Sequence, residues 1–441
     1  GNLDDTDDCT SLCQPATCGD GFVWAGNEEC DDANGNDIDA CHNDCTNTAI
    51  IDLQLGGNHT CIVLDYGAVR CWGNGDDGRT AQSSELDIGD DEVASAGLIY
   101  PFSPDVVRLH TGISHTCVVH DNGGITCFGR GDDGQIGYST TEDIGDTEPP
   151  DSLGFVPFPA GVLQMNTRGG AFHNCATTNL GNSYCWGLNA FGALGYPLIF
   201  QNIGDDESPA TFGPLDLGGV PNEFALGNAH SCARFGTSVR CWGRGDMGAL
   251  GYGNSDNIGD DETPASAGTV PVGLGVVQIS AGFFHTCAVT TNSTVRCWGR
   301  GNNGRLGYGS QAWVGVLNTP ADVGDVDVGG NVVEVAAGSA HTCARLNDGS
   351  VRCWGWGERG QLGYGNANDG GDNELPSSVG PVPLPGPATR IAADGNHTCA
   401  IIGENQLYCW GDSGDGRLGY GNLNNIGDNE TPQSVGPVPI F

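Results

Sequence analysis

The residues best able to do chemistry recur together. Cysteines stand in pairs nine or ten apart (Cys61 and Cys71, Cys117 and Cys127, Cys175 and Cys185, Cys232 and Cys241, Cys287 and Cys297, Cys343 and Cys353, Cys399 and Cys409), and a histidine precedes each pair by two (His59, His115, His173, His230, His285, His341, His397). Thiol pairs make disulfides or bind zinc, but nine or ten intervening positions suit disulfides better than the two to four usual between zinc ligands. Ring histidines in register either bind metal around a channel or bond to backbone and hold neighbouring units together. The third element is an acidic hexapeptide: DIGDDE (87–92), DIGDTE (143–148), NIGDDE (202–207), NIGDDE (257–262), DGGDNE (369–374) and NIGDNE (425–430).

Alternating oxygen groups with a glycine for the bend are what a calcium loop needs. The candidate ligands are Asp87, Asp90 and Glu92, Asp143, Asp146 and Glu148, Asp205 and Glu207, Asp260 and Glu262, Asp372 and Glu374, and Asp428 and Glu430. The competing reading has these Asp and Asn side chains bonded to their own backbone in turns, with the isoleucine as an apolar anchor. The fifth loop, WVGVLNTP, has lost its acids, so a strict seven-fold metal ring fails. A denser oxygen cluster lies near the start, at Asp31, Asp32, Asn34, Asn36, Asp37 and Asp39.

The elements that position these groups come from an internal repeat. The first cysteine of each pair recurs at steps of 56, 58, 57, 55, 56 and 56 residues, giving seven copies over residues 49–441. Each copy reads as apolar runs such as VVEVAAG, HTCARL and SVRCWG, then a glycine-rich loop and a proline-bounded SSVGPVPL, all strand and turn signals. Four short strands per copy and seven copies predict an all-β, seven-bladed β-propeller. Facing Cys343 with Cys353 across a hairpin puts Leu346 opposite Ser350 and leaves Asn347, Asp348 and Gly349 as a favoured three-residue loop. The nine-residue spacing of the fourth copy leaves Gly236 and Thr237 as a two-residue turn, so both spacings predict one disulfide inside each blade.

The pattern carried by "CWGRGNNGRLGYG", "CWGWGERGQLGYG" and "CWGDSGDGRLGYG" resembles the regulator-of-chromosome-condensation repeat, which implies seven blades. Phe128 replaces the tryptophan in the second copy, and the first copy lacks LGYG. The extra cysteine pair is similar to the secreted bacterial branch of that family, some of whose members are inhibitors that grip β-lactamase. The resemblance also implies a ring sealed by strands from both chain ends sharing a blade: the last copy ends in GPVPIF, and AIIDLQLGG opens the first without that strand.

Residues 1–48 form a separate disulfide-rich unit with Cys9, Cys13, Cys18, Cys30, Cys41 and Cys45, too poor in apolar residues to build a core. Fifteen pairings are open. The run "CGDGFVWAGNEECDDANGNDIDACHNDC" resembles the Myxococcus-type cysteine-rich repeat of surface and secreted proteins.

Twenty cysteines argue for an oxidising compartment, and a chain that opens at Gly1 is expected to be a processed, secreted or cell-surface form. No run of eighteen apolar residues predicts a membrane span. With 16 basic and 55 acidic residues, the net charge is −39 and every basic residue is arginine. A phosphate backbone needs a basic footprint, so nucleic acid is not an expected partner, and the chromatin binding of the nuclear relatives is not carried over. Arg130-Gly131-Asp132 and Arg244-Gly245-Asp246 spell an adhesion tripeptide, but inside the glycine loop of the repeat itself. No HExxH, GxSxG or phosphate loop is present, and no residue outside the repeat suggests catalysis. The expected function is a non-catalytic, calcium-associated scaffold whose rim binds a protein or glycan. The alternative is a structural subunit that binds copies of itself in a fibre or surface layer, its cysteine-rich arm docking on the next propeller.

Overall fold

The computed structural model describes residues 23, 28–31, 33, 41–159 and 170–441. The repeats fold into seven antiparallel sheets arranged as a ring of blades. In the sixth repeat the strands are Val332–Ala337, His341–Leu346 and Val351–Gly355, innermost first. The register sets Cys343 opposite Cys353, and Leu346 N–H donates to Ser350 O at 2.8 Å. Gly349 closes that loop at φ 81°, a left-handed value that glycine adopts at little cost. In the fourth repeat Phe235 pairs with Ser238, and Gly236 opens the shorter turn at φ 59°. All seven pairs are bridged, with Cα atoms 4.0–4.1 Å apart.

The expected fourth strand is mostly reduced to a single bond. Ile99–Tyr100 is a short strand in the first blade, whereas elsewhere one N–H reaches the third strand, as when Val382 donates to Val351 O at 2.8 Å. The prolines of GPVPL remove donors and fix φ, which ends the ladder. After the acidic loop, Pro320–Val323, Pro376–Val379 and Pro432–Val435 each form one helical turn, with proline at the start where a missing N–H costs nothing.

Ring closure differs from the expectation. Each sheet is built from one repeat, and the carboxy-terminal segment stays in its own blade, with Val438 N–H donating to Leu407 O at 2.7 Å. The joint between the last and first blades repeats the bonds of the others: Ser95 N–H donates to Pro439 O at 2.9 Å as Ala321 does to Pro271 O at 3.1 Å. Arg70 also crosses this joint to Ile440 O, as Arg240 crosses to Leu217 O. A last segment already paired within its own repeat needs no second sheet.

The core lies in the seams. Trp72, Trp186, Trp242, Trp298, Trp354, Trp410 and Phe128 are fully buried. Each tryptophan donates its indole N–H to a carbonyl of the preceding blade, for example Trp354 Nε1 to Arg305 O at 3.0 Å. One rim of the ring carries the β-hairpin loops. The other carries the glycine and acidic loops.

At the hairpin rim, His42 Nε2 lies 3.1 Å from both carboxylate oxygens of Asp65, fastening the described part of the cysteine-rich unit to the first blade. Cys30 is bridged to Cys41. Cys9, Cys13 and Cys18, and the candidate ligands Asp32, Asn34, Asn36, Asp37 and Asp39, lie outside the described residues.

Candidate functional site

The histidines sit in the seams, not around the channel. Each donates from Nε2 to the residue just before the first cysteine of the next blade: His59 to Thr116, His173 to Ser231, His230 to Thr286, His285 to Thr342 and His341 to Thr398, at 2.8–3.0 Å. His115 Nε2 meets the side-chain amide of Asn174, 2.9 Å from its nitrogen and 3.2 Å from its oxygen, and His397 closes the circle on Thr60 at 2.9 Å. The expected link between blades is present, but its acceptors are side chains. Each acceptor also donates to a carbonyl, as Thr342 does to Arg305 O at 3.0 Å, so its single hydroxyl proton is used and the histidine must supply the other. Such a histidine is neutral and protonated at Nε2, with no lone pair there for metal.

Burial lowers all seven histidines, to about 4 for His115 and His230 and about 3 for His173 and His341. Between these values and 6.5 the unfolded chain binds more protons than the folded one, so the stability from each histidine is complete above pH 6.5 and drains away as pH falls. His341→Gln removes one such group. The stability gap between wild type and variant, measured by urea unfolding, is expected to shrink by about 2 kcal/mol from pH 7 to 4.5, given ~1.4 kcal/mol per pKa unit; a constant gap sinks the assignment.

The glycine loops are structural for a related reason. Gly78, Gly134, Gly192, Gly248, Gly304, Gly360 and Gly416 press against Gly145, Gly204, Gly259, Gly315, Gly371, Gly427 and Gly89 in the acidic loop of the next blade. A Cβ at Gly304 would lie 2.3 Å from Asp372 N. Sequence reading found these glycines but not their partners, which lie a whole repeat away.

In the acidic loops the turn reading accounts for most side chains. Asp87 Oδ1 accepts from Gly75 N–H at 2.8 Å, as do Asp143 from Gly131 at 2.8 Å and Asp369 from Gly357 at 2.9 Å. Glu148 and Glu374 accept from Gly145 and Gly371 within their own loops at 2.9 and 3.0 Å, and Glu92 from Gly89 at 3.3 Å. Carboxylates nevertheless converge in three loops: Asp90, Asp91 and Glu92; Asp205, Asp206 and Glu207; Asp260, Asp261 and Glu262, each with oxygens within 4.8 Å of one another. Asp146 with Glu148, Asp372 with Glu374, and Asp428 with Glu430 are not gathered in this way. Desolvation and acidic neighbours push Glu207 up to about 7 and raise Glu92 and Glu262. Both Glu207 carboxylate oxygens and Glu262 Oε2 are covered without a hydrogen-bond partner. Asp31 lies near Glu28 and Cys45, but that sulfur is in a disulfide and offers no ligand.

Charges of the adhesion tripeptides are spent on each other: Arg130 Nη2 reaches Asp132 at 2.7 Å, and Arg244 Nε reaches Asp246 at 2.6 Å. Sequence reading also missed a zipper around the channel. Asp52, Glu223, Gln278 and Glu334 accept from the backbone of Leu109, Ile279, Val335 and Ile391 in the next innermost strand at 2.7, 3.3, 2.8 and 3.3 Å. These bonds satisfy strand edges that would otherwise face the channel unpaired. Arg390 of the last blade carries the same link to Asp52 of the first. Asp394 breaks the symmetry of the glycine three residues before each histidine, and burial lifts its carboxyl to about 7.

What remains on the loop rim is exposed and irregular. Phe191, Leu198 and Phe200 in the third repeat, and Trp313 and Leu317 in the fifth, are 47, 67, 77, 42 and 95% exposed. The fifth loop keeps the usual backbone, with Gly299 and Val314 exchanging N–H···O bonds at 2.6 and 3.1 Å, while Trp313 Nε1 donates to Asn302 Oδ1 at 2.8 Å.

Residues 50–79, 276–305 and 332–361 match one profile of the regulator of chromosome condensation (RCC1) repeat, and residues 238–289, 294–345 and 348–401 match another. Those stretches are RCC1 repeats, and the propeller that contains them has an RCC1-like fold. Yeast RCC1 (Prp20), solved with Kap60, superposes on it with TM-score 0.63 at 20% identity, over 87% of this chain and 84% of that one. Human WBSCR16 also gives 0.63, at 18% identity over 80% and 87%. These two likenesses are of fold alone. Among curated relatives, the ultraviolet-B receptor UVR8 of Arabidopsis thaliana is 33% identical over 267 residues, 58% of this chain and 54% of the receptor. The human E3 ubiquitin-protein ligase HERC2 is 29% identical over 322 residues, 71% of this chain. The RCC1-repeat propeller therefore spans just over half of the receptor and 6% of the ligase.

Proposed function

We propose that this propeller is an extracellular, non-catalytic scaffold that binds protein through the rim of glycine and acidic loops. The observation that carries the reading is the division of labour within the repeat. The seam histidines and paired cysteines are buried and committed to the ring, while large apolar side chains and carboxylates stand exposed on that rim. Exposed apolar groups beside polar ones mark binding surfaces. Fold neighbours with protein partners fit the same reading: one is a structure of Kap60 bound to yeast RCC1, and another concerns Prp20p and its binding to Gsp1p and histones. Seven blade disulfides favour an oxidising location. Among the described residues no helix is long and apolar enough to cross a membrane.

Calcium belongs to the same proposal, at Asp90–Asp91–Glu92, Asp205–Asp206–Glu207 and Asp260–Asp261–Glu262, where crowded carboxylates gain from a cation. Light scattering of the oxidised protein, in calcium and after chelation, tests the scaffold. A mass near 45.5 kDa in both supports it, and growth without limit replaces it with the self-assembling subunit. In the same buffers calcium is expected to raise the melting temperature, and Glu207→Gln with Glu262→Gln to reduce that rise. No calcium-dependent change would remove calcium from the proposal.

A further inference from the structure

We infer that the rim arc from the third to the fifth blade docks a protein segment carrying a basic side chain between two apolar ones. This rests on the scaffold reading and names its partner. The arc is ordered apolar, acidic, apolar. Leu198 N–H donates to Asp260 O at 2.8 Å, which sets the exposed third-blade side chains beside the acidic loop of the fourth blade. On the far side, Val316 Cγ2 lies 3.1 Å from where a Cβ on Gly248 would stand, so the fifth-blade loop abuts the glycine loop of the fourth. The third-blade side chains thus lie toward the acidic loop of the fourth blade on one side, and the loop bearing Trp313 and Leu317 lies against that blade's glycine loop on the other.

The apolar side chains are not required by the fold. Val316 and Leu317 occupy the loop positions held by Asp205 and Asp206 in the third repeat and Asp260 and Asp261 in the fourth, on the same backbone. Leu317 is 95% exposed, so it packs against almost nothing in its own chain. Losing the acids at this one loop puts apolar side chains where the other six loops carry aspartate followed by an acidic or polar residue. Among the described residues no arginine pairs with Asp260, Asp261 or Glu262, and Glu262 Oε2 is covered with no hydrogen-bond donor. At this loop a lysine or arginine from a partner would take the place of calcium among the carboxylates while its neighbours cover Leu317 and Phe200. A chain of net charge −39 also favours the approach of a basic segment.

The test restores the acids of the repeat. Val316→Asp with Leu317→Asp copies a loop that the third and fourth blades already fold, so the variant is expected to keep the native circular dichroism and melting temperature. The probe is a fluorescein-labelled peptide of alternating leucine and lysine, compared with one of alternating serine and lysine. Wild type is expected to bind the leucine peptide at least tenfold more tightly than the serine peptide, and the variant to lose tenfold or more for the leucine peptide alone. The variant carries two additional negative charges, so attraction by charge alone would strengthen its binding instead. Equal binding of both peptides by wild type, or equal binding of the leucine peptide by both proteins, overturns the inference. Light scattering separates the two readings: unlimited assembly of the wild type ends the scaffold reading itself, whereas a 45.5 kDa particle that fails the peptide test loses only this partner.

Discussion

Refolded in excess dithiothreitol, the propeller is expected not to regain its native fold. Each blade disulfide closes a loop of nine or ten residues in sequence separation. By restriction of the unfolded chain it contributes about 3 kcal/mol, and seven together on the order of 20. That sum exceeds the ~5–15 kcal/mol by which folded domains are stable. Near-UV circular dichroism and the melting midpoint of protein refolded with and without reductant provide the check. A reduced protein melting within about 5 °C of the oxidised form would show that the bridges are dispensable. Removing one pair, Cys287→Ala with Cys297→Ala, should cost about 3 kcal/mol.

Gly304→Ala should be nearly as damaging as any single substitution here. Its φ of 74° is a left-handed value, and the added Cβ would sit 2.3 Å from Asp372 N and 2.4 Å from Gly371 C. Those neighbours are backbone atoms of another blade, so they can yield only by opening the seam. Gly268 separates strain from collision, since its φ is 77° and nothing lies within 4 Å of its Cβ position. Left-handed strain alone costs about 1–2 kcal/mol, and Gly268→Ala should show that much. Gly304→Ala should lose about 3–5 kcal/mol once the overpacking is added. Denaturant midpoints of the two variants decide; equal losses would mean that the glycine loops do not bear on one another.

Much of this architecture is legible in the chain because its decisive contacts are local. Cys343 and Cys353, and the turn at Asn347–Gly349, follow from counting residues along one hairpin. The Asp87 and Asp143 caps are legible as turn chemistry. Contacts a full repeat apart are not. The Thr342 partner of His285 and the Leu109 partner of Asp52 each lie 57 positions away. A bulge between Ile50 and Asp52 also breaks the alternation that would have marked Asp52 as facing its neighbour. Closure is not legible in the chain, because GPVPIF reads as a strand seeking a sheet, whereas its single bond through Val438 already completes the blade it follows. Leu317 stood out only as a missing acid until its exposure gave it a role.

Closure without an exchanged strand has a mechanical side. Six joints are crossed by the polypeptide itself, but the seventh, where Thr60 meets His397, is crossed by hydrogen bonds and side chains alone. The molecule is a split washer. Bending or prying loads fall first on the slit, which Arg70, Arg390 and Arg417 rivet by reaching across it to Ile440 O, Asp52 and Gly57 O. A partner gripping the third to fifth blades pulls on the arc opposite that slit, leaving the weakest joint outside the line of force.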